Sequence, residues 1–122
     1  MTGQPAALVT GGSRGIGAAI VQRLLARGLP VVILDREAPA EASAARFVRC
    51  DLTDLAATQE ALARIAEENA ILWLVNNAGI AAPATLEETT IQDFDRVVAT
   101  NLRARILSAQ AALPAMKAAG KG

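Results

Sequence analysis

The chain has 122 residues, 52% of them apolar and only 2% aromatic, with twelve Lys+Arg balanced by twelve Asp+Glu. That length fits one domain with a core large enough to need no metal or disulfide staple. Zero net charge without a basic stripe argues against nucleic acid as the main partner, and Cys50 alone rules out a disulfide within these residues.

Read from the N-terminus, Met1 to Pro5 shows no basic segment leading into an apolar one, so no signal peptide is expected. No apolar run approaches the roughly 20 residues of a membrane span. A reducing, cytoplasmic setting is the expectation. Ala6 to Thr10 is a short apolar run ending in glycines, which predicts a buried strand. From Gly15 to Arg27 the apolar residues Ile16, Ile20, Val21, Leu24 and Leu25 recur at helical spacing, and Gly28 closes the helix. Val31 to Leu34 predicts a β-branched strand ending at Asp35. Arg36 to Ala45 reads as a loop or a single helical turn, and Arg46 to Cys50 as a third strand.

Asp51 to Asp54 supply caps for a helix from about Leu55 to Glu68, with Leu55, Leu62 and Ile65 on one face. Ile71 to Val75 is a fourth strand, followed by Asn76-Asn77-Ala78-Gly79. A long helix starts at Thr90 or Gln92, with Phe94, Val97, Val98, Leu102 and Leu113 on one face, Pro114 near its end, and Gly120 and Gly122 beyond. Alternating strands and helices predict an α/β fold with a parallel, doubly wound sheet and right-handed crossovers.

Chemistry concentrates after the predicted strands. A strand, a glycine-rich turn and a helix put backbone N–H groups and a helix dipole around an anion. Gly11 permits the tight turn, Gly15 a close backbone approach to a pyrophosphate, and Gly17 close packing of helix on strand. The spacing is Gly-x3-Gly-x-Gly, neither the commonest dinucleotide motif nor a P-loop, so an ordinary strand-to-helix turn is the bland alternative. Asp35 falls near the offset of roughly 20 residues at which an acid meets the adenosine ribose. A carboxylate there accepts from the ribose hydroxyls and repels a 2′-phosphate, favouring NAD over NADP; alternatively it only caps a turn. Arg14 and Arg36 argue the other way, since either could face a 2′-phosphate or simply be solvated. Asp51 alone reads as a helix cap. Gly11, Asp35, Asp51 and Asn77 nevertheless all fall at carboxyl ends of strands, which line one crevice in such a sheet.

Taken together, Thr10-Gly11-Gly12-Ser13-Arg14-Gly15-Ile16-Gly17, Asp51-Leu52, Asn76-Asn77-Ala78-Gly79 and Thr100-Asn101-Leu102 resemble the short-chain dehydrogenase/reductase family over about Ala6 to Gly122. The resemblance implies a Rossmann-like, NAD(P)-binding domain over residues 1–122, truncated after the fourth strand and the long helix. It implies that Ser13, Arg14 and Ile16 contact the cofactor, Asp51 and Leu52 hold its adenine, and Asn77, Ala78 and Gly79 pass beneath the nicotinamide-side ribose. Asn76 would tie the central strands together. Asn101 would be the first member of the family's Asn-Ser-Tyr-Lys catalytic set, or else a buried polar group satisfying nearby backbone.

The family's tyrosine has no counterpart: the chain contains no Tyr and no His. The expectation is therefore the N-terminal, cofactor-binding portion of a longer oxidoreductase that moves hydride between nicotinamide and a secondary alcohol or ketone. The 122 residues alone would bind cofactor weakly and turn nothing over. The fourth strand would be left as an unpaired edge. A homodimer or homotetramer through the long helix follows from the resemblance only. A non-catalytic dinucleotide-binding module and an S-adenosylmethionine-dependent methyltransferase are the alternatives, the second fitting Asn76 to Gly79 badly.

Overall fold

The computed structural model describes residues 3–122. Met1 and Thr2, part of the segment read as lacking a leader, lie outside the described residues. Four strands form one parallel sheet in the order β3-β2-β1-β4: β1 Gln4–Thr10, β2 Val31–Asp35, β3 Arg46–Arg49 and β4 Asn69–Asn76. Helix α1 is Gly15–Ala26, α2 is Leu55–Glu68, α3 is Ile91–Val98 and α4 is Ala104–Ala119. The last two are joined without a break by a π-helical turn, Ala99–Arg103.

Alternation along the strands sorts their side chains to two faces. Ala7, Val9, Val31 and Ile33 meet α1 through Val21, with Ile20, Leu24 and Leu25 alongside. Ala6, Leu8, Val32, Leu34 and Ile71 meet α2 through Leu62 and Ile65, and α4 through Ala104 and Ala112. Both sheet faces are therefore apolar, which is why the strands read as continuous apolar runs.

A bulge in β4 sets the position of everything after it. Ala6 pairs with Ile71, but Ala7 pairs with Trp73, so Leu72 is the extra residue. The slip returns Leu74 to the face of Leu8 and brings Asn76 level with Thr10. Without it, side chains past Ile71 would point to the opposite face.

Several predicted boundaries move. β1 and β4 are each longer than the apolar runs, because Gln4 and Pro5 pair with Asn69 and Ala70 despite the exposure of β1's first two residues. β3 stops at Arg49, although the Cys50 N–H still donates to the Asp35 carbonyl (2.9 Å). Arg36 to Ala45 forms no helix. Among the described residues β4 is hydrogen-bonded only to β1, as its place at the end of the strand order requires.

The predicted helix faces need correction. Ile16 is 76% exposed, since Gly17 and Val21 define the buried side of α1. Leu55 is exposed, while Thr58, Ala61, Leu62 and Ile65 carry the inner face of α2. In the long helix, Phe94, Leu102 and Leu113 are exposed; Ala104, Ser108, Ala112 and Ala115 are buried instead. Small side chains let α4 lie close on the sheet and α2, while the large apolar residues Phe94, Leu102 and Leu113 face outward. Pro114 lies near the end of α4 as expected, inside the helix, where it costs one backbone hydrogen bond.

Candidate functional site

The turn after β1 is built by close contact. Gly11 has φ +66°, its N–H donates to the Leu34 carbonyl (2.9 Å), and a Cβ there would lie 2.9 Å from Ala78 Cα. At Gly17 a Cβ would strike the Gly11 carbonyl oxygen and lie 2.5 Å from the Asn77 amide nitrogen. Gly15, at φ +57°, faces open space: a Cβ there would meet nothing within 4 Å. Arg14 precedes α1 in an extended conformation without a side-chain cap, and the first turn holds no acid. The first N–H groups of α1 are thus left for a ligand or water.

Asn77 ties this turn to β4. Its side-chain nitrogen donates to the carbonyls of Thr10 (3.2 Å) and Gly11 (3.0 Å). The buried Thr10 hydroxyl accepts from the backbone N–H groups of Asn77 and Ala78, both at 3.1 Å. The tie expected of Asn76 therefore falls to Asn77; Asn76 pairs with Thr10 through backbone, and its buried side-chain oxygen has no partner among the described residues. Thr10 was not singled out as a site side chain in the sequence. Its signal was there: a hydroxyl closing an otherwise apolar buried strand needs partners.

Two acids close the other side. Asp35 accepts from the Ser13 N–H (3.1 Å) through one oxygen, and from the N–H groups of Arg36 (2.7 Å) and Glu37 (3.5 Å) through the other. Asp51 is gripped by the backbone N–H (2.9 Å) and hydroxyl (2.8 Å) of Thr53, both on one oxygen. These bonds, with the charges of Arg36 and Arg96 assisting, hold its carboxyl below the usual range. Asp54, not Asp51, caps α2, accepting from the Ala57 N–H at 3.0 Å. Beside them, burial pushes the Cys50 thiol up despite its contact with the Thr58 hydroxyl.

A crevice of about 410 Å³ runs along the carboxyl edge of the sheet, bounded by Gly11, Arg14, Asp35, Asp51, Leu52, Asn77, Ala78 and Gly79. Ser13 and Gly15 line an adjoining cavity of about 420 Å³ that shares Arg14 with the crevice. Ile16 and Gly17 border neither: Gly17 is packing, and Ile16 is exposed at the start of α1. Arg96 of α3 and Thr100 of the π turn also line the crevice; Thr100 belongs to a motif the sequence offered, whereas Arg96 carried no signal of its own. Asn101 lies within that turn and is spent on Ile80, accepting from its N–H (2.8 Å) and donating to its carbonyl (2.9 Å). Among the described residues no cluster of His, Cys, Asp or Glu is arranged to hold a metal.

Known proteins share this arrangement. A family description reading short chain dehydrogenase matches residues 5–122. The chain is 36% identical to a 2,5-dichloro-2,5-cyclohexadiene-1,4-diol dehydrogenase, LinX, of Sphingobium indicum, over 95% of this chain and 51% of that protein. A short chain dehydrogenase from Leptospira borgpetersenii, solved with bound NAD+, superposes with a TM-score of 0.83 at 28% identity, over 98% of this chain and 48% of the other. A blue fluorescent protein from a metagenomic library, solved with NADPH, gives 0.76 at 35% identity, over 92% and 51%. The chain spans about half the length of the curated relatives that it matches. With motif, sheet order and relatives in agreement over nearly every residue, the chain belongs to the short-chain dehydrogenase family.

Proposed function

We propose that these 122 residues form the nucleotide-binding portion of an NAD(P)-dependent oxidoreductase acting on a small alcohol or carbonyl compound, with NAD favoured over NADP. The observation that carries this reading is the pairing of open space at Gly15 with uncapped first-turn N–H groups and an acid, Asp35, held at the next strand end. The residues present fit a dinucleotide. The Gly11–Gly17 loop and the start of α1 would hold the pyrophosphate, with Ser13, Arg14 and Ile16 beside it. Asp35 would accept from the adenosine ribose, and Asp51 and Leu52 would flank the adenine. Asn77, Ala78 and Gly79 would floor the second ribose. Once bound, the nicotinamide would supply the hydride donor or acceptor for an alcohol–ketone interconversion.

Proton transfer is another matter. A carbonyl oxygen receiving hydride needs an acid, and the chain has no tyrosine and no histidine. Both polar atoms of the Asn101 side chain are engaged by Ile80, so Asn101 acts on the site by holding the segment after Gly79. We expect these residues to bind nucleotide without turnover. The exposed stripe of Phe94, Leu102, Ile106 and Leu113 supports self-association through α3 and α4.

Titration calorimetry with NAD, and with S-adenosylmethionine as a control, tests the binding reading, while NADH production from a panel of secondary alcohols tests the rest. NAD binding without turnover is the expected result. Binding of S-adenosylmethionine alone would move the chain to methyl transfer, and turnover would refute the division between binding and chemistry.

A further inference from the structure

Arg14 and Arg36, both beside the proposed ribose site, each have a carboxylate nearby. Arg14 Nη1 lies 3.6 Å from the Glu37 carboxylate. The charge of Arg36 acts on Asp51 and helps hold that carboxyl ionised. Asp35 provides the frame for both: one oxygen holds the Ser13 N–H, next to Arg14, and the other holds the N–H groups of Arg36 and Glu37. The acid that would meet the ribose therefore also places Glu37 opposite the phosphate loop.

The Arg14 and Glu37 side chains are 69% and 55% exposed. A pair so exposed adds little to stability. Its consequence is where it leaves positive charge. A 2′-phosphate entering beside Asp35 would meet two carboxylates, and would have to win Arg14 away from Glu37 before gaining that particular cation. From this geometry we infer that Glu37 is a positioning residue for nucleotide selection, engaging the Arg14 guanidinium so that it is not free to pair with a 2′-phosphate. The inference rests on the proposed dinucleotide site and adds a second carboxylate to the choice that Asp35 makes.

Binding of 5′-AMP and of adenosine 2′,5′-bisphosphate to the wild-type chain, Glu37→Gln and the Glu37→Gln/Arg14→Gln double variant tests it. The ratio of the two affinities is the readout, because a merely structural effect would weaken both nucleotides together. In Glu37→Gln the bisphosphate should bind about threefold tighter or more, the scale of one exposed pair, while 5′-AMP stays within about twofold. Loss of that gain in the double variant is the expected signature of a route through Arg14. An unchanged ratio in Glu37→Gln overturns the inference, as does a gain that survives removal of Arg14. If the wild-type chain binds neither nucleotide, the dinucleotide site itself is wrong, a result separate from either of these.

Discussion

Asn101 meets the backbone of Ile80 twice, accepting from its N–H at 2.8 Å and donating to its carbonyl at 2.9 Å. One carboxamide thereby mimics a strand partner for the segment that leaves the crevice, and it does so from a π turn that interrupts a long helix. Asn101→Ala should cost about 1–3 kcal/mol, because both polar groups of Ile80 lose their partner. Amide exchange at Ile80 should accelerate. Asn101→Asp keeps the acceptor but sets a carboxylate against the Ile80 carbonyl, so at neutral pH it should melt no higher than the alanine variant and recover on acidification. An aspartate variant as stable as wild type at pH 7 would mean that the bond to the carbonyl contributes nothing.

Two glycines of the same loop should separate stability from binding. Gly17→Ala drives a methyl into the Gly11 carbonyl and the Asn77 amide, and should lose about 1–3 kcal/mol in urea unfolding. Gly15→Ala finds open space but sits at φ +57°, so it should cost about 1–2 kcal/mol of backbone strain. Its larger effect should be on NAD affinity, because the new methyl occupies the anion's approach. Equal loss of NAD binding by both variants at matched stability would count against an anion at Gly15.

Asp35→Ala should free three backbone N–H groups and remove the acceptor proposed for the ribose. NAD affinity should fall about tenfold or more, at the scale of a hydrogen bond to a charged group. Affinity for NADP should fall less or rise, since the charge opposing a 2′-phosphate is gone. Parallel losses for both nucleotides would place the ribose elsewhere.

Asp51 carries a pH signature. Its carboxyl is held low, first by the Thr53 backbone N–H and then by the Thr53 hydroxyl. A group depressed on folding stabilises the native state above its unfolded value, near 3.8, and loses that contribution as pH falls through its folded value. Thr53→Val removes the hydroxyl bond. Carboxyl NMR titration of that variant should show Asp51 moving up toward the usual range, with the acid limb of the stability curve shifting the same way. An unmoved titration would assign the whole shift to backbone.

Cys50 should behave in the opposite sense. Burial raises its thiol above the ordinary 9.0, so the folded chain favours the neutral form. Alkylation should be slow at neutral pH and reach full rate only on unfolding. Stability drawn from this group is complete below the unfolded value and declines as pH rises through the folded one. Rapid native-state alkylation at pH 7, equal to that of the denatured chain, would contradict the burial.

The order of elements and most of the crevice were legible along the chain because both depend on local chemistry. Apolar runs of strand length, glycines after the first, and acids at the ends of the second and third are one-dimensional signals, and strand ends converge in any parallel sheet. Less legible was which side of a helix turns inward. Phe94, Leu102 and Leu113 looked like a core face by size, yet Ala104, Ser108 and Ala112 occupy it, because close approach of α4 to the sheet rewards small residues.

Sequence alone determined what groups exist here: a phosphate-type loop, an acid at Asp35, an amide at Asn77, and no tyrosine. Tertiary structure decided what those groups spend themselves on. The bulge at Leu72 sets the register that brings Asn76 level with Thr10, and Asn77 then bonds the Thr10 and Gly11 carbonyls. The π turn presents Asn101 to Ile80, and the turn after β2 sets Glu37 against Arg14. Each depends on a contact between segments far apart in sequence or on a one-residue shift of phase, and neither leaves a periodic trace in the chain.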